Sequence, residues 1–182
     1  MKILITGAGG FIGSYFTEKL MKEHDVTIVL RKKTDNYWRL KLLGELNCKI
    51  YQDAIFAIEQ TKPDIVFHMA SAGTRPVDKI PNSEIISTNI NQTIDVIEAS
   101  LKYAEKTVVF SSSSAYGDVR IMKEDGLRKP INIYGATKLF IEHYGKIRAT
   151  EERKHLINII PFSVFGDYEE PSRLIPYIIS CA

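Results

Sequence analysis

Residues 1–13 read MKILITGAGGFIG, an apolar run that leads directly into a cluster of glycines. Gly7, Gly10 and Gly13 follow Ile3–Ile5 at intervals of three residues. Glycine costs backbone entropy and packs no side chain inside a strand, so its use here indicates that something approaches the backbone closely. We therefore interpret this stretch as a strand, a tight turn and the beginning of a helix.

Short β-branched runs of this kind recur along the chain and alternate with longer stretches of helical period. The predicted strands are Lys2–Thr6, Val26–Leu30, Lys49–Tyr51, Asp64–Met69, Thr107–Ser111 and Leu156–Ile160. Such alternation is typical of βαβ units, whose parallel sheet is covered by helices on both faces. The sequence therefore predicts an α/β protein with a doubly wound parallel sheet.

Three helices are predicted between these strands. The first, Phe11–Glu23, follows the glycines, and the last starts near Tyr134 and runs to about Ala149. The clearest is Ser83–Ala104, with Ser83 as its N-cap. Its apolar residues recur at steps of three and four and predict a single buried stripe: Ile86, Ile90, Ile94, Ile97, Leu101 and Ala104.

Composition excludes several classes of protein. The 182 residues are 45% hydrophobic and 25% charged, with a formal net charge of +2 and no basic stripe, so neither nucleic acid nor a membrane is expected as a partner. Without a charged leader or a long apolar run, a cytoplasmic location is expected. Cys48 and Cys181 are read as plain thiols and no metal site is predicted.

The position of the glycine turn, between a strand and a helix, suggests a function for it. A strand, a GxxGxxG turn and a helix together suggest a dinucleotide-binding site. Gly7 would permit the tight turn, Gly10 would let backbone N–H groups reach a pyrophosphate, and Gly13 would let the helix pack on the strand. The alternative is a glycine-rich turn that binds nothing.

A second candidate site lies further along the chain. Tyr134 and Lys138 stand four residues apart in YGATK, on one face of a predicted helix. A nearby ammonium favours the phenolate, and such a pair can move a proton while a hydride travels elsewhere. The serines at 111–114 follow a predicted strand, and ligands bind beyond the carboxyl ends of strands in open parallel sheets.

Taken together, TGAGGFIG, FSSSSAYG and YGATK resemble the extended short-chain dehydrogenase/reductase family, in its NAD-dependent epimerase/dehydratase branch. The resemblance spans essentially the whole chain and implies a Rossmann fold. It also implies that Tyr134 is the acid/base, that Lys138 lowers its pKa and holds the nicotinamide ribose, and that a serine orients the substrate hydroxyl. The family spacing selects Ser112 for this last role, with Ser111 and Ser113 left open.

The same resemblance implies the cofactor contacts. Asp53 would lie near the adenine, and HMASAG at 68–73 would run along the cofactor. The expected cofactor-binding residues are Gly7, Gly10, Phe11, Ile12, Gly13, Arg31, Asp53, Ala54, Met69, Ala70, Ser71, Lys138 and Pro161.

The end of the second strand bears on which cofactor binds. NAD-preferring domains usually place an acid there, whereas an Arg accommodates a 2′-phosphate. Here Leu30 takes the acidic position and Arg31–Lys33 follows, so NADP is favoured over NAD. The alternative is that the basic run is a solvated turn. An NADPH preference would favour a reductase over an epimerase, which recycles its bound cofactor.

The resemblance implies a nucleotide-sugar substrate, and the residues narrow the reaction. Ser113–Ala115 stand where the dehydratases of this branch carry an acidic pair, so dehydration is disfavoured. The 3,5-epimerising reductases of the family carry a cysteine near the serine, and neither Cys48 nor Cys181 stands there, so 4-epimerisation and reduction of a 4-keto sugar remain. Two alternatives remain open: a non-catalytic NAD(P)-binding or sensing module, and a reductase acting on an aldehyde or small ketone.

The domain organisation follows from the same resemblance. Residues 1–165 would form the NAD(P)-binding domain and 166–182 the start of a substrate-binding region. The chain is therefore expected to be a fragment that binds dinucleotide but turns over sugar poorly or not at all. A homodimer through helices 83–104 and 134–149 is expected. His68 is predicted to be a packed histidine, and Asn89 to be hydrogen-bonded near the active site.

Overall fold

The computed structural model describes residues 1–30, 38–74 and 79–181, and within them six strands form one sheet. Neighbouring strands are parallel throughout, in the order β3-β2-β1-β4-β5-β6. Their bounds are β1 Lys2–Thr6, β2 Asp25–Val29, β3 Lys49–Tyr51, β4 Ile65–His68, β5 Lys106–Phe110 and β6 His155–Ile159. The predicted doubly wound sheet is confirmed, with each strand within two residues of its expected bounds.

Helices cover the sheet on both faces. They are α1 Phe11–Leu20, α2 Trp38–Leu42, α3 Ala54–Thr61, α4 Asn82–Ile86, α5 Gln92–Tyr103, α6 Ile133–Glu151 and α7 Leu174–Ser180. Successive side chains of a strand point to opposite faces, so β1 contributes to two cores. Leu4 packs with Ile58 of α3 and Val96 of α5, whereas Ile3 packs on the other face with Leu40 of α2.

A third apolar cluster joins α6 to the rest of the fold. Ile141 of α6 packs with Ile97 and Leu101 of α5 and with Val109 of β5, and all four are buried. Burying apolar side chains of this size contributes about 1.5–3 kcal/mol each. This cluster holds α6, which carries Tyr134 and Lys138, against the end of β5.

The predicted single helix over 83–104 is interrupted. Residues Ser87–Asn91 form one π-helical turn between α4 and α5. The extra residue in this turn shifts the buried face, so Ile85 and Asn89 are buried while Ile86 is 41% exposed. The prediction that Ile86 begins the buried stripe is wrong, and so is the predicted N-cap, because Pro81 and not Ser83 precedes the first turn.

The strand order places a crevice at the carboxyl edge of the sheet. The chain leaves β1 toward β2 on one side, and β4 lies on the other side of β1. Ligands bind at this reversal of strand order in doubly wound sheets. Gly7 after β1, Met69 after β4 and Ser111 after β5 all lie at this edge.

The segment between β6 and α7 is held to α2 by Arg39. Arg39 is buried, donating from Nε to the carbonyl of Tyr168 at 2.6 Å and from Nη2 to Glu170 at 2.5 Å. By contrast, α7 buries none of its residues. None of the helices in the described ranges is long and apolar enough to cross a membrane.

Candidate active site

The glycine turn brings the ends of β1, β4 and α1 into direct backbone contact. Gly7 has a φ of +75°, and a Cβ on it would lie 2.6 Å from the backbone N of Ala70. A Cβ on Gly13 would lie 2.2 Å from the carbonyl oxygen of Gly7. Both distances are far shorter than real carbon contacts, so these two glycines are required by the turn itself.

Gly10 leaves the beginning of α1 open. It is exposed, it occupies the N-cap position, and it offers no side-chain hydrogen bond to the first turn. The first N–H groups of a helix have no partner within the helix, and the helix dipole makes this end partly positive. No acidic residue neutralises the first turn of α1. The beginning of α1, with Phe11 and Ile12, therefore fits the pyrophosphate of a dinucleotide.

The backbone after β4 is fixed by buried polar side chains. Asn89 accepts from the N–H of Ala72 at 2.8 Å and donates to the Ala72 carbonyl at 2.9 Å. Its amide also donates to Thr137 of α6 at 3.2 Å. The N–H of Ala70 donates to Thr6 Oγ1 at 3.3 Å. The prediction that Asn89 is hydrogen-bonded to backbone near the site is confirmed.

His68 is a packed residue, as predicted. Its Nδ1 shares a hydrogen bond with Thr6 at 2.7 Å and its Nε2 shares one with Thr93 at 2.9 Å. Burial, with a smaller effect from the charge of Lys138, lowers the pKa of His68 to about 3. The imidazole is therefore neutral at ordinary pH and joins β1, β4 and α5.

Tyr134 and Ser112 meet at the carboxyl edge of the sheet. The hydroxyls of Ser112 and Ser71 both lie near enough to the phenol to act on its pKa. Burial raises the pKa of Tyr134, and it outweighs the effects of these two hydroxyls and of the positive charge of Arg173, which all lower it. The net direction is therefore upward, and the lowering expected from Lys138 stays a prediction.

Lys138 lies one turn along α6 from Tyr134. Its Nζ is 5.7 Å from the centroid of the Tyr134 ring and donates to the carbonyl of Phe110 at 2.9 Å. Burial lowers the pKa of Lys138 to about 8, although the charge of Glu142 acts in the opposite direction. The Lys138 ammonium thus lies close to the ring of Tyr134. Its hydrogen bond within the described residues, however, goes to the backbone at the end of β5 and not to the phenol.

The three candidate serines have different surroundings. Ser111 donates a short hydrogen bond to Glu142 Oε1. Ser112 accepts from the N–H of Ser114 at 3.1 Å and reaches Tyr134, whereas the N–H of Ser113 donates to the Pro161 carbonyl at 3.2 Å. Of these three serines, Ser112 is the one whose hydroxyl the structure places at the phenol.

Several other predicted cofactor residues also lie at the carboxyl edge of the sheet, where they cap a helix or follow a strand. Asp53 caps α3, accepting from the N–H of Phe56 at 2.7 Å, and Ala54 begins that helix. Met69 and Ala70 follow β4 directly. Arg31, on which the cofactor preference depends, lies outside the described residues.

Sequence reasoning missed part of the site. A cavity of about 430 Å³ adjoins Tyr134, lined among others by Lys79, Ser114 and Asn132. Asn132 caps α6, accepting from the N–H of Gly135 at 2.7 Å, a role its place just before YGATK indicates. Ser71, which was expected at the cofactor, also lies near enough to Tyr134 to act on its pKa. No local pattern predicts that contact.

A six-stranded parallel sheet in this order, with a glycine turn after β1, defines a Rossmann fold. The chain belongs to the NAD dependent epimerase/dehydratase family, whose family model matches residues 3–182. This agrees with the resemblance inferred from TGAGGFIG, FSSSSAYG and YGATK.

Individual relatives are also similar to this chain. A UDP-N-acetyl-alpha-D-glucosaminuronate decarboxylase of Bacillus cytotoxicus is 32% identical over 83% of this chain and 48% of its own length. A UDP-N-acetylglucosamine 4-epimerase from Methanobrevibacter ruminantium M1, solved with UDP-N-acetylmuramic acid, matches with a TM-score of 0.87 at 25% identity. A UDP-glucuronic acid 4-epimerase from Bacillus cereus, solved with NAD, matches with a TM-score of 0.80 at 26% identity.

The chain is shorter than these relatives. It spans about half the length of the curated relatives, 48% for the decarboxylase. The two structural matches cover 98% and 99% of this chain but only 61% of each solved chain.

Proposed function

We propose that this chain carries the dinucleotide-binding part of a nucleotide-sugar epimerase or 4-ketoreductase, with Tyr134 as the acid/base. The pairing of the Tyr134 phenol with the Ser112 hydroxyl supports this proposal most directly. Two hydroxyls that meet at the carboxyl edge of a parallel sheet lie where a substrate hydroxyl or keto group is expected. The cavity of about 430 Å³ beside Tyr134 leaves room for a sugar.

The proposed chemistry divides between the bound cofactor and the protein. A nicotinamide ring supplies a hydride or accepts one when it is bound. Ser112 would orient the substrate oxygen, and Tyr134 would exchange a proton with it. Because its pKa is raised, Tyr134 carries its proton at neutral pH, which is the form that donates to a keto oxygen during reduction.

The proposed cofactor is a nicotinamide dinucleotide. Its pyrophosphate would lie at the beginning of α1, beside Gly10, Phe11 and Ile12, and Lys138 would hold the nicotinamide ribose. Solved relatives are complexed with NAD, and they lend no support to the NADP preference predicted from Leu30 and Arg31–Lys33. Separate titrations with NADH and NADPH decide between the two, since equal dissociation constants would contradict that preference.

The proposed substrate is a sugar linked to a nucleoside diphosphate. Related proteins were solved with UDP-glucuronic acid, UDP-glucose and UDP-N-acetylmuramic acid. We assign residues 1–165 to the dinucleotide-binding domain and 166–182 to the start of a substrate-binding region. The second assignment is supported by the fact that α7, an apolar helix, buries none of its residues in the described fold.

We further propose a homodimer through α5 and α6. Ile133, Phe140 and Ile147 recur every seven residues on α6 and lie on one face of that helix. They are 39%, 45% and 57% exposed, an apolar row of the kind that a helix packing against a second copy would bury.

Substitution of the phenol tests the catalytic role. In a longer protein that contains this chain and the substrate-binding region, Tyr134→Phe should abolish turnover of UDP-glucose, UDP-glucuronic acid or UDP-N-acetylglucosamine, while the dissociation constant of the dinucleotide should stay nearly unchanged. Tyr144→Phe is the matched control, because this phenol lies on the same helix but donates to Glu98 at 2.7 Å. Dinucleotide binding without turnover of any of these sugars would favour the alternative, a non-catalytic sensing module.

A further inference from the structure

A largely but not fully buried carboxylate lies one helical turn beyond Lys138. Glu142 of α6 has a side chain only 12% exposed. Its Oε1 accepts the short hydrogen bond from Ser111, and its Oε2 lies 3.5 Å from Nη1 of Arg128, which is also 12% exposed. None of the roles described above accounts for a buried carboxylate at this place.

Glu142 and Lys138 hold consecutive residues of one strand end. Lys138 donates to the Phe110 carbonyl at 2.9 Å, and Glu142 accepts from the hydroxyl of Ser111. The next residue is Ser112, the partner of Tyr134. Two successive turns of α6 are therefore bonded to the two residues that precede the proposed substrate-orienting serine, Lys138 to a backbone carbonyl and Glu142 to a side-chain hydroxyl.

Glu142 is also the anionic member of a group of charges that have little contact with solvent. Lys138 is buried, and Arg128 lies over the ring of Tyr116 at 3.7 Å from its centroid. Within the described residues, Nη1 of Arg128 makes no hydrogen bond, so the ion pair with Glu142 is its main interaction. A buried charge without a partner is strongly destabilising, and Glu142 is the carboxylate placed to compensate both cations.

The loop before α6 joins the same group. Arg128 donates from Nη2 to the carbonyl of Glu124 at 3.0 Å, and the Tyr116 hydroxyl donates to the carbonyl of Lys123 at 2.9 Å. The segment between β5 and α6 is thus held by its own hydrogen bonds, next to Glu142. A substitution of Glu142 would therefore alter the contacts of the strand end, of Lys138 and of this loop.

We propose that Glu142 is a positioning residue for the Tyr134–Lys138 pair, which holds the end of β5 through Ser111 and compensates the buried charge of Lys138. This inference rests on the proposed function for its catalytic consequence, but its effect on Lys138 is independent of any reaction. The charged and titratable groups that face Lys138 are Tyr134 and Glu142 on its own helix and His68 from β4. Those that face Glu142 are Lys138 and Arg128.

The deciding measurement is an NMR titration of the Lys138 side chain in the folded protein and in Glu142→Gln. The variant keeps an oxygen that accepts from Ser111 but removes the charge. The pKa of Lys138 should fall by about one unit, as expected when a nearby opposite charge is lost. Glu151→Gln is the matched control, because this exposed carboxylate on the same helix pairs with Arg148 at 2.5 Å and should leave Lys138 unchanged. An unchanged pKa in Glu142→Gln overturns the proposal.

Turnover of the same sugar nucleotides gives a second readout that a purely structural role would not move. From a pKa of about 8, a fall of about one unit reduces the ammonium fraction of Lys138 at pH 8 about fivefold. Turnover by the longer protein should fall to a similar extent, because the ammonium is the form proposed to hold the nicotinamide ribose. At pH 6 the two proteins should be nearly equal, because the lysine is protonated in both. A loss that is equal at both pH values contradicts the proposal.

The two proposals fail differently. If this chain does not bind dinucleotide, the proposed function is wrong, but the Lys138 titration still decides the role of Glu142. If Glu142→Gln does not fold, Arg128→Gln replaces it. Removing this cation should raise the pKa of Lys138, since Glu142 then compensates the lysine alone, and a constant pKa overturns the proposal.

Discussion

The side-chain amide of Asn89 binds both backbone polar groups of Ala72, accepting from its N–H at 2.8 Å and donating to its carbonyl at 2.9 Å. Ala72 belongs to the segment after β4 along which the cofactor is expected to run. Asn89 lies in the π-helical turn and is almost fully buried. The interrupted helix therefore serves to bring an amide against this segment, and π turns are frequent at functional sites.

Removal of this amide should destabilise the fold. Asn89→Ala leaves the buried polar groups of Ala72 without their partner, and each unsatisfied group costs about 1–3 kcal/mol, so we expect a loss of about 3 kcal/mol. Urea unfolding measures the change. Gln92→Ala, an exposed neighbour in the same helix, should change stability by less than about 0.5 kcal/mol. Equal effects of the two substitutions would mean that the Asn89 contacts contribute nothing.

The glycine turn should not tolerate a methyl group. Gly7→Ala combines a φ of +75° with a clash at 2.6 Å from the Ala70 nitrogen. We expect lower stability and loss of NADH binding, measured by urea unfolding and calorimetric titration. Gly44→Ala is a matched control, because Gly44 has the same φ of +75° but nothing within 4 Å of an added Cβ. If both variants bind NADH like the parent, the turn is not the pyrophosphate site.

The serine contacts should be visible in the titration of Tyr134. The hydrogen bond with Ser112 lowers the pKa of Tyr134, so Ser112→Ala should raise that pKa above its already elevated value. Carbon NMR of labelled tyrosine, with Tyr134→Phe to assign the signal, follows the change. Ser100→Ala provides the comparison, since its hydroxyl donates to the Val96 carbonyl at 2.6 Å, within α5. A fall in the pKa after Ser112→Ala would exclude the hydrogen bond.

Buried His68 should make the fold less stable in acid. Its pKa is about 3 when folded and about 6.5 when unfolded, so the unfolded state binds the proton more tightly. The stability that a neutral His68 supports is complete above pH 6.5 and is lost as the pH falls toward 3. Between pH 7.5 and pH 5 this loss is about 2 kcal/mol.

Replacement of His68 isolates that contribution. In His68→Gln the free energy of unfolding should change by about 2 kcal/mol less than in the parent over the same pH interval. His155→Gln, which replaces an exposed histidine on β6, is the comparison variant. The interpretation fails if His68→Gln and the parent lose stability in parallel.

The apolar row on α6 should determine oligomeric state. Phe140→Glu places a charge in the middle of the row formed with Ile133 and Ile147, and a buried charge without a partner opposes association. Light scattering after size exclusion should then report a monomer where the parent is a dimer. Ile121→Glu, a change at a residue that is 73% exposed in the loop before α6, should leave the mass unchanged. A parent that is monomeric at all concentrations contradicts the proposed dimer.

Much of the framework was predictable because it is written in local periodicity. β-branched runs predicted all six strands of the sheet, and the helical stretches between them predicted that neighbouring strands are parallel. The spacing of Gly7, Gly10 and Gly13 predicted a turn that only glycine can form. The four-residue spacing of Tyr134 and Lys138 placed both on one face of α6.

The remaining features depend on contacts between distant parts of the chain. The way α6 lies on the end of β5 decides which serine hydroxyl lies at Tyr134. It also decides that Ser111 donates its hydrogen bond to Glu142. The direction of the pKa of Tyr134 is the balance between burial and hydrogen bonds, and burial is a property of the packed molecule. The sequence by itself determined the strands, the turn and the reactive residue types, because these follow from backbone preferences and side-chain spacing. Only the tertiary structure decided their partners and protonation, because those are set by neighbours that the fold brings together.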